Sequence, residues 1–473
     1  MPANIDILLI QPSYGEVYGF KKDISSILPP LNLMYLSSYL KKYNYDTKIL
    51  DLEVEGESKL EDILENSGCK IFGIGGVTSL FPEVMRLAQK IKSYDKNNVV
   101  VFGGPHATAV KEDILDVCSA IDVVIFGEGE ETLKEFMDCK LMGKPKISGI
   151  KGITYRIEDT IISNVARAPI TNIDEIPFPD HDGINYENYV PALHRALGNP
   201  FAVMITSRGC PFSCNYCGTQ TVFGDKIRFR SVKNILEEVD YLVGKHHIKN
   251  IIFWDDTMTL NKQRIIDLCQ ELEGYNINWS CNTRPDTIDS DLLKHMKRAG
   301  CKMIFYGVES SSEDILKKLG RKIAPEKIES AITQTKNAGI RCTGSMMIGT
   351  PFDTLEQIDK NIKYIIDLDP DFAFFSPFAP HPGTPIYEYC VENNIIPKWK
   401  NWLYMNFEGM PLNHPTANLI LSRKQIQDCL KEAYSRFYSR QEFFETRAKR
   451  FKEDWELKIL EDLNKKFRGK NDR

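Results

Sequence analysis

The sequence predicts an α/β protein: an N-terminal doubly wound, Rossmann-like domain, then a partial (β/α)6 barrel of TIM type, then a mostly helical C-terminal region. Three observations predict it. Short apolar runs alternate with amphipathic stretches through residues 1–145; the alternation restarts near 200 and repeats six times by 390; beyond 391 the apolar spacing is helical. At 473 residues the chain exceeds what one core ordinarily holds. The expected division is 1–145, a connector over 146–195, a barrel over 196–390 and a helical region over 391–473.

Composition narrows the function classes. Hydrophobic residues make up 42% and charged residues 26%, as in a soluble globular protein. A net charge of −5 gives no reason to expect a nucleic-acid partner. The N-terminus lacks the basic and apolar regions of a secretory signal, and no apolar run approaches a membrane span. Twelve scattered cysteines then read as reduced thiols, and the expected compartment is the cytoplasm.

In the first domain the strand candidates are "IDILLIQP" (5–12), "DTKILDLE" (46–53), "KIFGIGGVTS" (70–79), "NVVVFGGPHAT" (98–108) and "IDVVIFGEGEET" (121–132). Helical patterns such as "FPEVMRLAQKIKSY" lie between them, so the sheet is parallel and its ligand side is the carboxyl edge. That edge is small and polar: Thr78 and Ser79 after the third strand, Gly103, Gly104, Pro105 and His106 after the fourth, and Gly127, Glu128 and Gly129 after the fifth. Glycines admit a bulky ligand close to the backbone, and hydroxyls offer hydrogen bonds. "GIGG" is not a dinucleotide fingerprint, which needs G-x-G-x-x-G after the first strand. The ordinary alternative is three tight strand-to-helix turns.

Residues 146–195 break the rhythm. "KGITYRIEDTIISNVARAP" reads as a hairpin, and the proline-spaced, acidic "NIDEIPFPDHD" as a connector. The second series follows with strand candidates at 201–209, 250–256, 277–284, 301–310, 340–350 and 371–380, and barrel chemistry belongs at their carboxyl ends. After the first of these lies "SRGCPFSCNYCGTQ", with Cys210, Cys214 and Cys217 spaced C-x₃-C-x₂-C. Four thiolates close a structural zinc site or a complete Fe–S cluster. Three thiolates on a cubane [4Fe–4S] cluster leave one iron open to a substrate. The zinc alternative needs a distant fourth ligand; Cys281 and Cys301 are available but fall on different strands.

This motif, with aromatic Tyr216 before the last cysteine, resembles the radical SAM superfamily. The resemblance implies that the open iron chelates S-adenosylmethionine (SAM) and that one electron releases a 5′-deoxyadenosyl radical. It also implies roles at the other strand ends. Asp255 or Asp256 in "WDDTMT" would face the SAM ammonium, and Arg284 in "CNTRPD" its carboxylate. Glu309 in "YGVES" would meet the sugar hydroxyls, and Gly349 in "MMIGTP" would let backbone pack on adenine. The following "TPFDT" departs from the P-G-E-T common in relatives. The ordinary alternatives are a surface ion pair for Arg284, a helix cap for the aspartates and a solvated carboxylate for Glu309.

Residues 5–136 resemble the cobalamin-binding domain of the cobalamin-dependent members of that superfamily, in a branch that includes hopanoid methylases and the anaerobic magnesium-protoporphyrin cyclase. Many such domains carry a cobalt-ligating histidine in D-x-H-x-x-G after the first strand. This chain reads "QPSYGEVYG" there, so the resemblance implies cobalamin held without that histidine, with His106 as the nearest rival ligand. The implied cofactors are a [4Fe–4S] cluster, SAM and cobalamin. The implied activity is methyl transfer to an unactivated carbon, two SAM molecules serving as methyl and radical sources. A radical cyclase shares the cofactors, and a corrinoid carrier or sensor is the non-enzymatic alternative. A methylthiotransferase would need a second cluster, for which Cys69, Cys118 and Cys139 are spaced too widely.

An electron donor such as flavodoxin or ferredoxin is the expected partner, and the substrate a small molecule, tetrapyrrole or lipid. Cys342 and Cys390 are further conceivable participants, with buried inert thiols as the alternative. From 423 onward there are 15 Lys and Arg against 10 Asp and Glu, and Phe451, Trp455, Ile459, Leu463 and Phe467 recur every four residues. Such a basic amphipathic helix either touches a membrane or lipid-bearing substrate, or caps its own barrel.

Overall fold

The computed structural model of the chain describes residues 5–14, 27–191, 197–400, 416–452 and 454–467. Seven strands form the first sheet: β1 (Ile7–Gln11), β2 (Thr47–Asp51), β3 (Ile71–Gly75), β4 (Val99–Gly103), β5 (Val123–Ile125), β6 (Ile153–Ile157) and β7 (Thr160–Ser163). Their order is β2-β1-β3-β4-β5-β6-β7. The first five are parallel, an order that reverses between β1 and β3 and places ligands beyond the carboxyl ends. Strand β1 is buried throughout, as an unbroken apolar run in a sheet covered on both faces should be. Among the helices, Phe81–Tyr94 shows the logic: Pro82 and Glu83 open it, Lys92 lies in its last turn, and Phe81, Val84, Leu87, Ala88 and Ile91 bury one stripe.

The hairpin expected in the connector forms, but it extends the sheet. β6 pairs antiparallel with β5, and β7 with β6. Beyond it the chain becomes a strap. Asp180 accepts from Ser37 Oγ and Lys41 Nζ, both at 2.6 Å, on helix Leu31–Lys41 of the first domain. The next residue, His181, lies 3.0 Å from Glu238 on helix Val232–His246 of the barrel. Two adjacent side chains thus tie two domains.

The barrel sheet runs β15-β14-β13-β12-β11-β8, all parallel, with β8 Phe201–Met204, β11 Asn250–Phe253, β12 Asn278–Thr283, β13 Cys301–Glu309, β14 Arg341–Ile348 and β15 Phe372–Pro377. A short antiparallel ribbon, β9 (Ser207–Arg208) with β10 (Arg228–Phe229), brackets the cysteine loop. Six strands leave two open edges. At β15 the C-terminal helix Arg423–Tyr438 takes the place of a seventh strand. The Tyr438 hydroxyl accepts from Ala373 N at 3.0 Å and donates to Ala373 O at 2.8 Å, and Tyr434 does the same for Phe375 at 3.2 and 2.9 Å. The tyrosines are four apart on a helix and their targets two apart on a strand; both advance about 6–7 Å, so the two repeats match.

The C-terminal stripe therefore turns inward. Phe451, Ile459 and Leu463 join the barrel core, and Phe467 packs against it. Trp455 side-chain placement lies outside the description. The stripe is not one helix, since the chain is irregular at Phe451 and Lys452 between helices Gln441–Arg450 and Asp454–Phe467. Capping its own barrel is the arrangement found. No described helix is long and apolar enough to cross a membrane.

Candidate active site

The three cysteines sit on a loop that several elements hold rigid. Gly209 enters it at φ +90°, and a Cβ there would lie 2.5 Å from the Lys226 carbonyl oxygen, so only glycine fits. Asn215 donates from its backbone to Leu319 O at 3.0 Å and from its side chain to Lys318 O at 2.7 Å, while its own carbonyl accepts from Ile386 N at 3.1 Å. A Cβ on Gly320 would meet Ser213 O at 2.6 Å, so the loop rests directly on backbone.

Each thiol has a different neighbour. Cys210 Sγ lies 3.8 Å from Thr257 Oγ1 beyond β11, Arg284 Nη1 lies 3.7 Å from Cys214 Sγ beyond β12, and Cys217 Sγ lies 3.3 Å from Thr219 Oγ1. All three are partly exposed, and burial pushes the Cys210 and Cys217 thiols up. Bound iron would reverse that, because a coordinated thiol is deprotonated. Among the described residues no three His, Cys, Asp or Glu side chains converge on a single metal ion. Cys281 and Cys301, the fourth-ligand candidates for zinc, are buried in the barrel core. Three half-open thiols on a fixed loop are the donor set a cluster with one open iron requires.

The structure sorts the residues predicted around SAM. Asp255 is turned inward: it accepts from Thr206 N and Oγ1 and from Ser207 Oγ, and it ties β8 to β11 rather than facing the loop. Asp256 is the open one. Lost hydration and the adjacent Asp255 push it up to about 6, against a 2.9 Å hydrogen bond from Thr219. Arg284 stacks on Phe212 at 3.8 Å, but its fork is filled by Asp286 at 2.9 and 2.8 Å, so it holds the loop instead of standing ready for a carboxylate. Gly349 is buried at φ +86°, and its missing Cβ makes room for Ile426 of the C-terminal helix, which would lie 2.6 Å away. In place of P-G-E-T, Asp353 closes that loop by accepting from Gly349 N at 3.0 Å and Thr350 N at 2.8 Å.

Glu309 and Tyr216 are brought together by a residue that sequence reasoning missed. The pairing of β13 with β14 slips at Gly307–Glu309, and Glu309 takes φ +68°, an irregularity of the kind that re-aims a side chain. Its carboxyl accepts from Ser345 Oγ at 3.3 Å, and burial pushes it up against the pull of Arg321. Arg321 donates to Tyr216 OH at 3.1 Å and to the Gly307 carbonyl, and is itself 5% exposed. In "KKLGRKI" it stands among lysines with no local pattern to separate it.

At the first sheet, the three predicted loops lie side by side beyond β3, β4 and β5. Thr78 Oγ1 is 3.1 Å from His106 Nδ1. His106 is 1% exposed and packed among Phe81, Phe102 and Trp399, so burial and then His381 hold its imidazole down to about 3. Among the described residues its Nε2 has no hydrogen-bond partner, but the ring sits within an aromatic packet rather than at an open face. Ser79 is buried, Pro105 is exposed, and Gly104 is pressed against the Gly76 carbonyl. Among the described residues a Cβ on Gly127 would meet nothing within 4 Å, and on Gly103 nothing nearer than 3.8 Å; Gly129 adjoins Leu36. Open space beside two glycines at the carboxyl edge fits a corrinoid. Glu128 is the exception: it is committed to Arg208, Arg228 and Ile170 N.

The two loop systems touch. Helix Pro105–Val110 and helix Thr219–Phe223 flank Gly383, whose Cβ would lie 3.1 Å from Ala109 and 3.0 Å from Thr221. Cys342 and Cys390 are fully buried, and burial pushes their thiols to about 12 and about 11, which makes them inert core residues.

A three-cysteine loop on an open parallel barrel, stacked against a second parallel α/β domain, fits the class of iron–sulfur enzymes that the sequence resembles. Known proteins agree. The chain matches the radical SAM superfamily over residues 204–365 and the B12 binding domain over residues 21–137. It is 36% identical to an uncharacterised methyltransferase of Pyrococcus horikoshii, over 92% of each chain. It is 27% identical to the anaerobic magnesium-protoporphyrin IX monomethyl ester cyclase of Cereibacter sphaeroides, over 93% of this chain and 71% of that one. The radical S-adenosylmethionine methyltransferase TsrM of Kitasatospora setae shares the fold, with TM-score 0.66 at 17% identity over 82% of this chain and 76% of that one. The chain belongs to the cobalamin-binding radical SAM enzymes, and its cofactors are a [4Fe–4S] cluster, SAM and cobalamin.

Proposed function

We propose that this enzyme transfers a methyl group to an unactivated carbon of a small-molecule, tetrapyrrole or lipid substrate. The observation that carries the reading is the direct contact between the corrinoid-side helix Pro105–Val110 and the cluster-side helix Thr219–Phe223 around Gly383. When bound, the cluster with SAM supplies a carbon-centred radical, and cobalamin supplies a methyl group.

The chain's own residues hold and orient. Cys210, Cys214 and Cys217 would hold three irons and leave one position open. Arg321 offers a fixed cation beside Tyr216 and Glu309, and Asp256 an open carboxyl beside the loop. Gly103 and Gly127 would line the corrinoid side, with Thr78 on the neighbouring loop. Arg284 keeps Phe212 and Cys214 in place. Twelve free thiols and the absence of a membrane-crossing helix among the described residues suit a cytoplasmic enzyme served by flavodoxin or ferredoxin.

The test is an anaerobic preparation reconstituted with iron, sulfide and cobalamin, then given reductant and SAM. Deoxyadenosine and S-adenosylhomocysteine are both expected by mass spectrometry, and Cys214→Ala should abolish the first. Deoxyadenosine without homocysteine product would favour cyclisation, the activity named for the Cereibacter sphaeroides relative.

A further inference from the structure

The loop after β5 is joined to the cysteine loop by a buried ionic clamp. Arg208 lies two residues before Cys210 and is 5% exposed. Its guanidinium donates to Glu128 Oε1 at 2.9 Å and to Glu130 Oε1 at 2.6 Å. It also sits 5.2 Å from the Tyr35 ring, on the first domain, and 5.8 Å from Phe223, at the end of the cluster-side helix. Arg228, paired with Arg208 across the β9–β10 ribbon, grips both oxygens of Glu128 at 2.9 and 2.8 Å and the Ile170 carbonyl at 2.6 Å. Burial opposes the Glu128 charge, but Arg228 and Arg208 outweigh it and hold the carboxyl below its usual range.

We propose that Arg208 is a positioning residue that couples the two cofactor sites, so that ordering the corrinoid loop at Gly127–Gly129 also orders the cluster loop beginning at Cys210. The proposal rests on the cofactor assignment above. Its physical basis is short and rigid. Glu128 directly follows Gly127, one of the two glycines beside open space at the carboxyl edge, and Arg208 precedes Gly209, where the Lys226 carbonyl leaves no room for a Cβ. Fixing either loop therefore removes motion that the other ligand would otherwise have to remove, and this is positive coupling without any large movement.

The experiment titrates hydroxocobalamin anaerobically into cluster-reconstituted protein and into cluster-free protein, with equilibrium dialysis as the readout. The wild type should bind about tenfold tighter with the cluster present, within the ordinary range of coupling between sites. By reciprocity, cobalamin should raise by a similar factor the chelator concentration that removes half of the iron at equilibrium. The quadruple variant Arg208→Met, Arg228→Met, Glu128→Gln, Glu130→Gln removes two charges of each sign and strands none; its affinity ratio should fall to about one. General loosening would weaken both titrations and leave the ratio unchanged. If the quadruple variant does not fold, Arg208→Lys, which keeps the charge and loses the fork, should bring the ratio below about threefold. An undiminished ratio in the folded variant, or a wild-type ratio near one, overturns the clamp. No hydroxocobalamin binding in either form overturns the corrinoid assignment itself, and the clamp with it.

Discussion

Two glycines flank the same ribbon, and substituting each by alanine separates a conformational cost from a steric one. Gly224 ends helix Thr219–Phe223 at φ +76°, and among the described residues a Cβ there would meet nothing within 4 Å. Gly224→Ala should therefore cost only the positive φ, about 1–2 kcal/mol. Gly209 is at φ +90° with Lys226 O at 2.5 Å and Lys226 C at 3.2 Å from its Cβ. Those atoms are backbone and cannot rotate away. Relief requires moving the loop that carries Cys210, which adds about 1–3 kcal/mol of forced displacement. The assay is iron and sulfide bound per chain after anaerobic reconstitution, with thermal unfolding in parallel. Gly224→Ala should load the cluster as the wild type does, whereas Gly209→Ala should lose most of its iron. Equal loading and equal unfolding temperatures for the two variants would refute the argument that Gly209 sets the loop.

Three further outcomes follow from the same structure. Tyr434→Phe and Tyr438→Phe each strand one N–H and one carbonyl of β15, so each should destabilise by about 2–4 kcal/mol and raise hydrogen exchange over residues 372–377, while surface Tyr→Phe controls do not. Asp51 is 2% exposed, and burial pushes its carboxyl up to about 6 against a hydrogen bond from Glu53 N. A raised acid binds more protons when folded, so its contribution is full below the unfolded value of about 4 and is lost as pH rises towards 6. Asp51→Asn should accordingly stabilise above pH 6, by at most about 3 kcal/mol, and not below pH 4. A pH-independent change in melting temperature would refute that assignment.

Most of the architecture was legible because it rests on periodicity. The parallel strands, the six βα repeats and the cysteine loop all follow from local patterns in which each residue states its own environment. What was not legible depended on pairing between distant segments. "KGITYRIEDTIISN" reads as a hairpin, but nothing in it says that β6 would find β5. Asp255 and Asp256 are neighbours of identical type, and only the orientation at the end of β11 sends one to Thr206 and leaves the other open. Arg284 carries the expected charge in the expected place, but its partner lies two residues ahead. Gly349 in "MMIGTP" suggests room for a cofactor, but the space is taken by Ile426, almost eighty residues later. Glu128 looked like a loop residue for a ligand because its arginines lie far off in sequence.

The strap at Asp180–His181 has a consequence for how substrate arrives. The two domains are attached to each other at three separate places at least. One is the strap; another is the arginine clamp. The third is the segment after helix Pro385–Glu392, where Trp399 Nε1 lies 3.3 Å from Asp113 and Lys400 Nζ 2.8 Å from the same carboxylate. Wholesale hinge opening would have to release all of them together. Entry between the two loop systems by yielding of individual loops would leave these attachments intact, whereas opening of the whole frame would break them.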